Sequence, residues 1–254
     1  MLAAVFALTL QTQWITKLPS GATVKLVAVM DAYTKAAWTP AGTRQNFPTK
    51  DFLVTAEKDK LRMQKAVAFV LDFDHQKLKE FPDVLMSIGS NSTYALSTGY
   101  TSMFPTKLPY RSIGAFYLPK NMKNADLDVF VASGPWKTLG KYGPKTKRAE
   151  GLSFHPTIEI VNGPADSKGV KTQVAQIKIV APESLAKSKG VYRLAAFDQK
   201  GKKMKSAGAL TRSGEQSPSE FMFEPEGKSI GRLELEYRPY EPLKFSSVAL
   251  QPKS

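Results

Sequence analysis

Cysteine is absent from this chain and histidine occurs only twice, at His75 and His155. Without cysteine there is no disulfide framework, iron–sulfur cluster, thiol nucleophile or cysteine-based zinc site. Neither histidine has a His-Glu-x-x-His or His-x-His neighbour, so a zinc site would have to be completed by distant carboxylates. No run approaches the roughly eighteen apolar residues that a transmembrane helix needs, so no transmembrane segment is expected. The phosphate-cradling patterns Gly-x-Gly-x-x-Gly and Gly-x4-Gly-Lys-Ser/Thr are missing, and so is the Gly-x-Ser-x-Gly elbow of serine hydrolases. Gly163-Pro-Ala-Asp-Ser-Lys-Gly169 lacks the Lys-Ser/Thr pair after its second glycine and reads as a hairpin loop. Helical periodicity is also scarce. Glu183–Lys189, between Pro182 and Gly190, and His75–Phe81 are the two stretches that fit a turn or two of helix.

What is present is globular. The 254 residues are 42% hydrophobic and 23% charged, with 17 Gly and 17 Pro, which excludes collagen and wholesale disorder. The formal net charge is +14. The surplus is made of lysine, 28 Lys against 8 Arg, and both halves of the chain are basic. Arginine is the usual base-reading and phosphate-forking residue. A scattered lysine surplus fits a solvated surface or diffuse attraction to polyanions, and specific nucleic-acid binding is not expected. The densest basic clusters, Lys137–Arg148 and Lys200–Lys205, sit among Gly and Pro or beside Gly and read as loops.

Strand signals run along nearly the whole chain. Thr23–Met30, Ser112–Leu118, Leu127–Ala132, Thr157–Val161, Gln173–Val180, Val191–Phe197 and Lys244–Leu250 are β-branched or apolar runs of strand length. Ala66–Phe73 is continuously apolar up to Leu71, as expected of a strand covered on both faces. Arg232-Leu-Glu-Leu-Glu-Tyr-Arg238 alternates, which predicts Leu233, Leu235 and Tyr237 on a core and Arg232, Glu234, Glu236 and Arg238 outward. Asp31–Lys35 and Asp198–Gly201 read as turns. The expectation is an all-β chain of one or two antiparallel, jelly-roll-like β-sandwiches with very little helix. A division into residues 1–148 and 149–254 is expected where Gly, Pro, Lys and Arg crowd together, with a single domain as the alternative. The apolar segment 2–10 reads equally as the tail of a signal segment and as a first strand.

Three stretches resemble uncharacterised β-rich regions of bacterial envelope proteins. They are Ala22–Thr43 with Trp38-Thr-Pro-Ala-Gly42, Val131-Ala-Ser-Gly-Pro-Trp-Lys-Thr138, and Tyr237–Pro252 opening on Tyr237-Arg-Pro-Tyr240. The first departs from that pattern at Ala37–Trp38 and Ala41–Gly42, where a Trp pair and an Asp-Gly would stand. The resemblance implies a secreted, periplasmic or envelope-associated module without catalytic residues.

The residues themselves support a similar reading. Asp72, Asp74 and His75, and likewise Asp126 and Asp128, read as solvated strand ends rather than metal ligands, and no metal or cofactor is expected. No catalytic residue can be named, and a non-enzymatic role is favoured. The candidate binding residues are Trp38, Trp136, Tyr94, Tyr100, Tyr110, Arg238 and Tyr240. The tyrosines at 94, 100 and 110 belong to a Ser/Thr/Gly/Pro-rich stretch suited to a binding loop. The Trp residues read first as core or plugs and second as a sugar platform. Arg238-Pro-Tyr-Glu241 reads first as a corner that locks the fold, with Arg238 set to pair with Glu241. The expected function is a module that contacts another protein or a cell-surface polymer. The alternatives are carbohydrate binding through exposed aromatics and a hydrolase with a cryptic site.

Overall fold

In the computed structural model every regular element is a strand. The structure describes residues 14–47, 64–74, 78, 82–89, 110–143, 157–165, 171–178, 190–210, 220–223 and 230–253. Sixteen strands are formed among the described residues, with no helix, in agreement with the all-β expectation. The two segments with helical signal lie in or largely in residues outside that set. The chain divides into two compact units. The first is residues 1–133 with 241–254, and the second is residues 134–240.

The first unit is a two-sheet sandwich. Its larger sheet is built from β1 (Ile15–Lys17), β2 (Thr23–Asp31), β3 (Ala37–Trp38), β4 (Arg44–Gln45), β5 (Gln64–Phe73) and β7 (Tyr110–Pro119). The order is β4-β3-β2-β5-β7, with β1 also paired to β2. The smaller sheet has the order β16-β8-β6, from β6 (Asp83–Ile88), β8 (Asn124–Ala132) and β16 (Glu241–Ala249). All these pairings are antiparallel.

The apolar run of β5 explains the position of the larger sheet. Every residue from Ala66 to Leu71 is buried. Successive side chains of a strand point to opposite faces. Val67, Phe69, Leu71 and Phe73 enter the core between the two sheets, where they meet Leu127, Val129, Val131, Phe245 and Val248 of the smaller sheet. Ala66, Ala68 and Val70 join a second buried cluster with Ala28, Met30, Ile113, Ala115 and Tyr117. The strand is therefore covered on both faces, as its composition predicts.

Turn chemistry follows the sequence closely. Asp31 Oδ1 accepts the N–H groups of Tyr33 and Thr34 at 2.9 and 2.7 Å. Lys35 holds the left-handed φ of 63° that closes this turn back onto Ala36. Asp198 does the same for Lys200 and Lys202, both at 2.9 Å, with Gly201 at φ 80°.

The second unit contains two antiparallel sheets. One has the order β10-β11-β14-β13, from β10 (Thr157–Ala165), β11 (Lys171–Lys178), β13 (Ser206–Leu210) and β14 (Glu220–Phe223). The other has the order β12-β15-β9, from β9 (Lys137–Tyr142), β12 (Gly190–Asp198) and β15 (Ile230–Pro239). Lys137–Tyr142 is thus not part of a loop. It pairs with Leu233–Tyr237 through a bulge at Leu235/Glu236. Its lysines and Gly140 hide a strand whose stability comes from backbone pairing and from Leu139 against the neighbouring apolar face. That face carries Tyr192, Leu194, Ala196, Leu233 and Leu235, as the alternation predicts. The opposite face departs from expectation, because Glu234 and Arg238 are buried rather than solvated. Ion pairs and a covering indole replace water there.

Candidate functional site

Two places gather polar side chains with a distinct geometry. The first is a cleft of about 410 Å³ in the sandwich unit, within the range of ligand pockets. It opens where β2 ends, β5 begins and the chain leaves β16. Asp31, Thr34, Arg44, Gln45, Lys65 and Gln251 supply its polar groups, and Ala36, Ala37, Trp38, Leu250 and Pro252 its apolar wall.

Hydrogen bonds between remote segments hold the wall in place. Trp38 Nε1 donates to Ala249 O at 2.8 Å. The turn after Trp38 is closed by Gly42 at φ 96°, and its carbonyls at Pro40 and Gly42 accept the N–H groups of Ala249 and Lys253, each at 2.8 Å. A Cβ at Gly42 would stand 3.0 Å from the Lys253 side chain, so the close approach also requires glycine. Leu250 N–H donates to Lys123 O at 2.8 Å.

The polar groups are partly committed. Both hydrogens of the Gln45 amide go to carbonyls, Val27 O and Trp38 O at 3.1 Å each, which leaves Oε1 as its remaining function. Lys65 Nζ donates to Met122 O. Partial burial pulls the Lys65 ammonium below the ordinary lysine range. Lys35, on the adjoining turn, is pulled down by burial and partly restored by the Asp31 charge. Arg44 is exposed, and among the described residues no carboxylate lies within ion-pair distance of it.

The second place is the polar face of the β12-β15-β9 sheet. Trp136, half-buried, lies 4.1 Å from the guanidinium carbons of both Arg193 and Arg238. Arg193 Nε also meets Glu236 Oε2 at 2.5 Å. Further along, Arg232 sits 4.3 Å over Phe197 and 2.8 Å from Glu234, which Lys141 approaches at 3.6 Å. Arginines, carboxylates and aromatic rings contact one another along this face, as in a ladder.

Of the residues singled out from sequence, the structure brings Trp136 and Arg238 together. Trp38 is 3% exposed and forms wall rather than platform. Tyr94 and Tyr100 lie outside the described residues, as does the side chain of Tyr110, whose backbone opens β7. Tyr240 is half-buried at the end of the second unit. The expected Arg238–Glu241 partnership is replaced by other bonds. Glu241 accepts Ser133 Oγ at 2.9 Å and Ser20 N–H at 3.1 Å, while Arg238 packs on the indole.

Among the described residues no group of three His, Cys, Asp or Glu could hold a metal ion. Asp72 is taken by Arg111 in a two-pronged pair at 2.5 and 2.8 Å, and Asp126 by Lys244 at 2.8 Å. No helix among the described residues is long and apolar enough to cross a membrane. The cleft residues Asp31, Arg44, Gln45 and Lys65 are absent from the sequence-derived candidates. Asp31 carries a turn signal, but the other three have no local pattern that marks them.

No protein-family model, curated protein or solved structure matches this chain.

Proposed function

We propose that the chain is a non-enzymatic binding module of a secreted or envelope-associated protein. It makes its contact with a partner at the cell surface through the cleft of the sandwich unit. The observation that carries this reading is the combination of a concave site with walls tied by the Trp38, Gly42 and Leu250 hydrogen bonds. A pre-formed cleft loses little entropy when it is filled. The resemblance of the Val131–Thr138 and Tyr237–Pro252 stretches to uncharacterised β-rich regions of bacterial envelope proteins supports the location. The Arg193–Trp136–Arg238 ladder is read as structural, because Arg193 is paired with Glu236 and both guanidinium groups pack on the ring.

The test is a binding panel on the full chain with neutral polysaccharides, peptidoglycan, acidic polysaccharides, heparin and DNA, at low and moderate salt. The Trp38 indole N–H resonance serves as the cleft reporter. Saturable, salt-resistant binding that shifts this resonance is expected. Binding only to heparin and DNA, abolished at moderate salt, would reduce the interaction to the lysine surplus and remove the proposal. Turnover of a bound ligand would show that the module is an enzyme.

A further inference from the structure

Resting on that reading, we infer that the cleft of the sandwich unit takes a carboxylate-bearing saccharide, a uronic-acid-type sugar unit of a surface polymer. The argument starts from the unspent hydrogen-bonding capacity of the lining. Arg44, exposed in the lining, brings a guanidinium with no ion-pair partner among the described residues. Lys65 brings an ammonium with one of its three donors on Met122 O, and it too has no carboxylate within ion-pair distance among the described residues. The cleft therefore presents two cations that a ligand carboxylate would satisfy, and a guanidinium fork is the geometry suited to it.

The remaining groups are acceptors. Asp31 has spent Oδ1 on two backbone N–H groups and has Oδ2 left. Gln45 has spent both amide hydrogens on carbonyls and has Oε1 left. Acceptors beside cations suit a ligand that pairs an anion with hydroxyl donors. Asp31 limits the negative charge that the cleft accommodates, which suits one carboxylate at the site rather than several anionic groups.

Neutral sugars are usually gripped by stacking on aromatic faces. Trp38, the aromatic of this cleft, is 3% exposed and supplies wall only, so the carboxylate must carry the affinity. An extended peptide is disfavoured as well. The sheet edge at the cleft is β4, two residues long, too short to template an added strand.

The experiment titrates the full chain with three probes: oligogalacturonate, its methyl ester and polyglutamate. Affinity is read by calorimetry and occupancy by the Trp38 indole resonance. Oligogalacturonate is expected to bind and shift the indole, and the methyl ester to bind at least about tenfold more weakly. Arg44→Gln, at an exposed position that does not threaten folding, is expected to lose about tenfold for the acid. Lys200→Gln removes the same charge from a turn of the other unit and is expected to change little. Equal binding of acid and ester with the indole shift retained overturns the carboxylate assignment and leaves the binding-module reading standing. Polyglutamate binding as tightly as the uronate, with the same Arg44 dependence, overturns the saccharide assignment in favour of an acidic peptide. If no probe moves the indole, this inference falls; if the whole surface-polymer panel is also silent there, the cleft reading falls with it.

Discussion

Single residues decide whether the cleft wall and the sheet corners close. Trp38→Phe would leave Ala249 O buried without its donor, and a cost of about 1–3 kcal/mol is expected in a urea titration. At Gly190 a methyl group would stand 2.2 Å from the Tyr237 ring and 2.6 Å from Arg238 O. Backbone cannot yield cheaply, so Gly190→Ala is expected to destabilise by about 1–3 kcal/mol or more. Gly134→Ala meets nothing within 4 Å and serves as the neutral control. Lys65 and Lys35 carry pH dependence. Their folded-state values lie below the ordinary 10.5, so the unfolded chain binds more protons in that window. Stability is therefore expected to rise with pH from the lowered folded values up to about 10.5. Lys65→Met should flatten part of that rise, and an unchanged slope in alkaline urea titrations would remove Lys65 from the account.

Among the elements, β5 and β15 were the most legible, each for a physical reason. Continuous apolarity in β5 reports burial on both faces, and the two clusters built from its alternate residues bear this out. The alternation of β15 correctly assigns Leu233 and Leu235 to an apolar face. It assigns the wrong surroundings to Glu234 and Arg238, because nothing local says that Arg232 and Lys141 will pair with the first or that Trp136 will cover the second. Trp136→Ala removes a ring shared by two guanidinium groups, one of them on a residue 3% exposed. A loss of about 2–4 kcal/mol is expected in the unfolding of the second unit. Arg193→Lys, which keeps the charge but loses the planar stack, should cost about 1 kcal/mol. No measurable cost for Arg193→Lys would argue that charge, not stacking, holds the ladder.

For the molecule as a whole, the first unit is interrupted by the second. Val131 pairs with Glu241, and Ser133 Oγ bonds Glu241 across the two points where the chain leaves and returns. The ends of the inserted unit are also neighbours, since Lys137 pairs with Tyr237. Residues 134–240 thus occupy the place of a hairpin loop. Replacing them by Asn-Gly, a turn that suits a tight hairpin, is expected to leave the sandwich folded and the cleft intact. Dispersed amide resonances and a retained Trp38 indole shift would show it, and collapse of that spectrum would mean that the sandwich needs its insert.

The sequence by itself determined the long strands but not β6 or β9, and it determined which strand is buried on both sides and where Asp31 and Asp198 turn the chain. Those properties come from the period of side chains along a few residues and from short-range hydrogen bonds. The lack of cysteine settled the absence of disulfides in the same direct way. Only the tertiary structure decided that β16 returns to β8 and that Arg44, Lys65, Asp31 and Gln251 share one cleft. Trp38 and Ala249 are 211 positions apart, and their bond is as strong as a local one. Pairing across such distances depends on which apolar faces can be covered together, a property of the whole chain that no short stretch of it encodes.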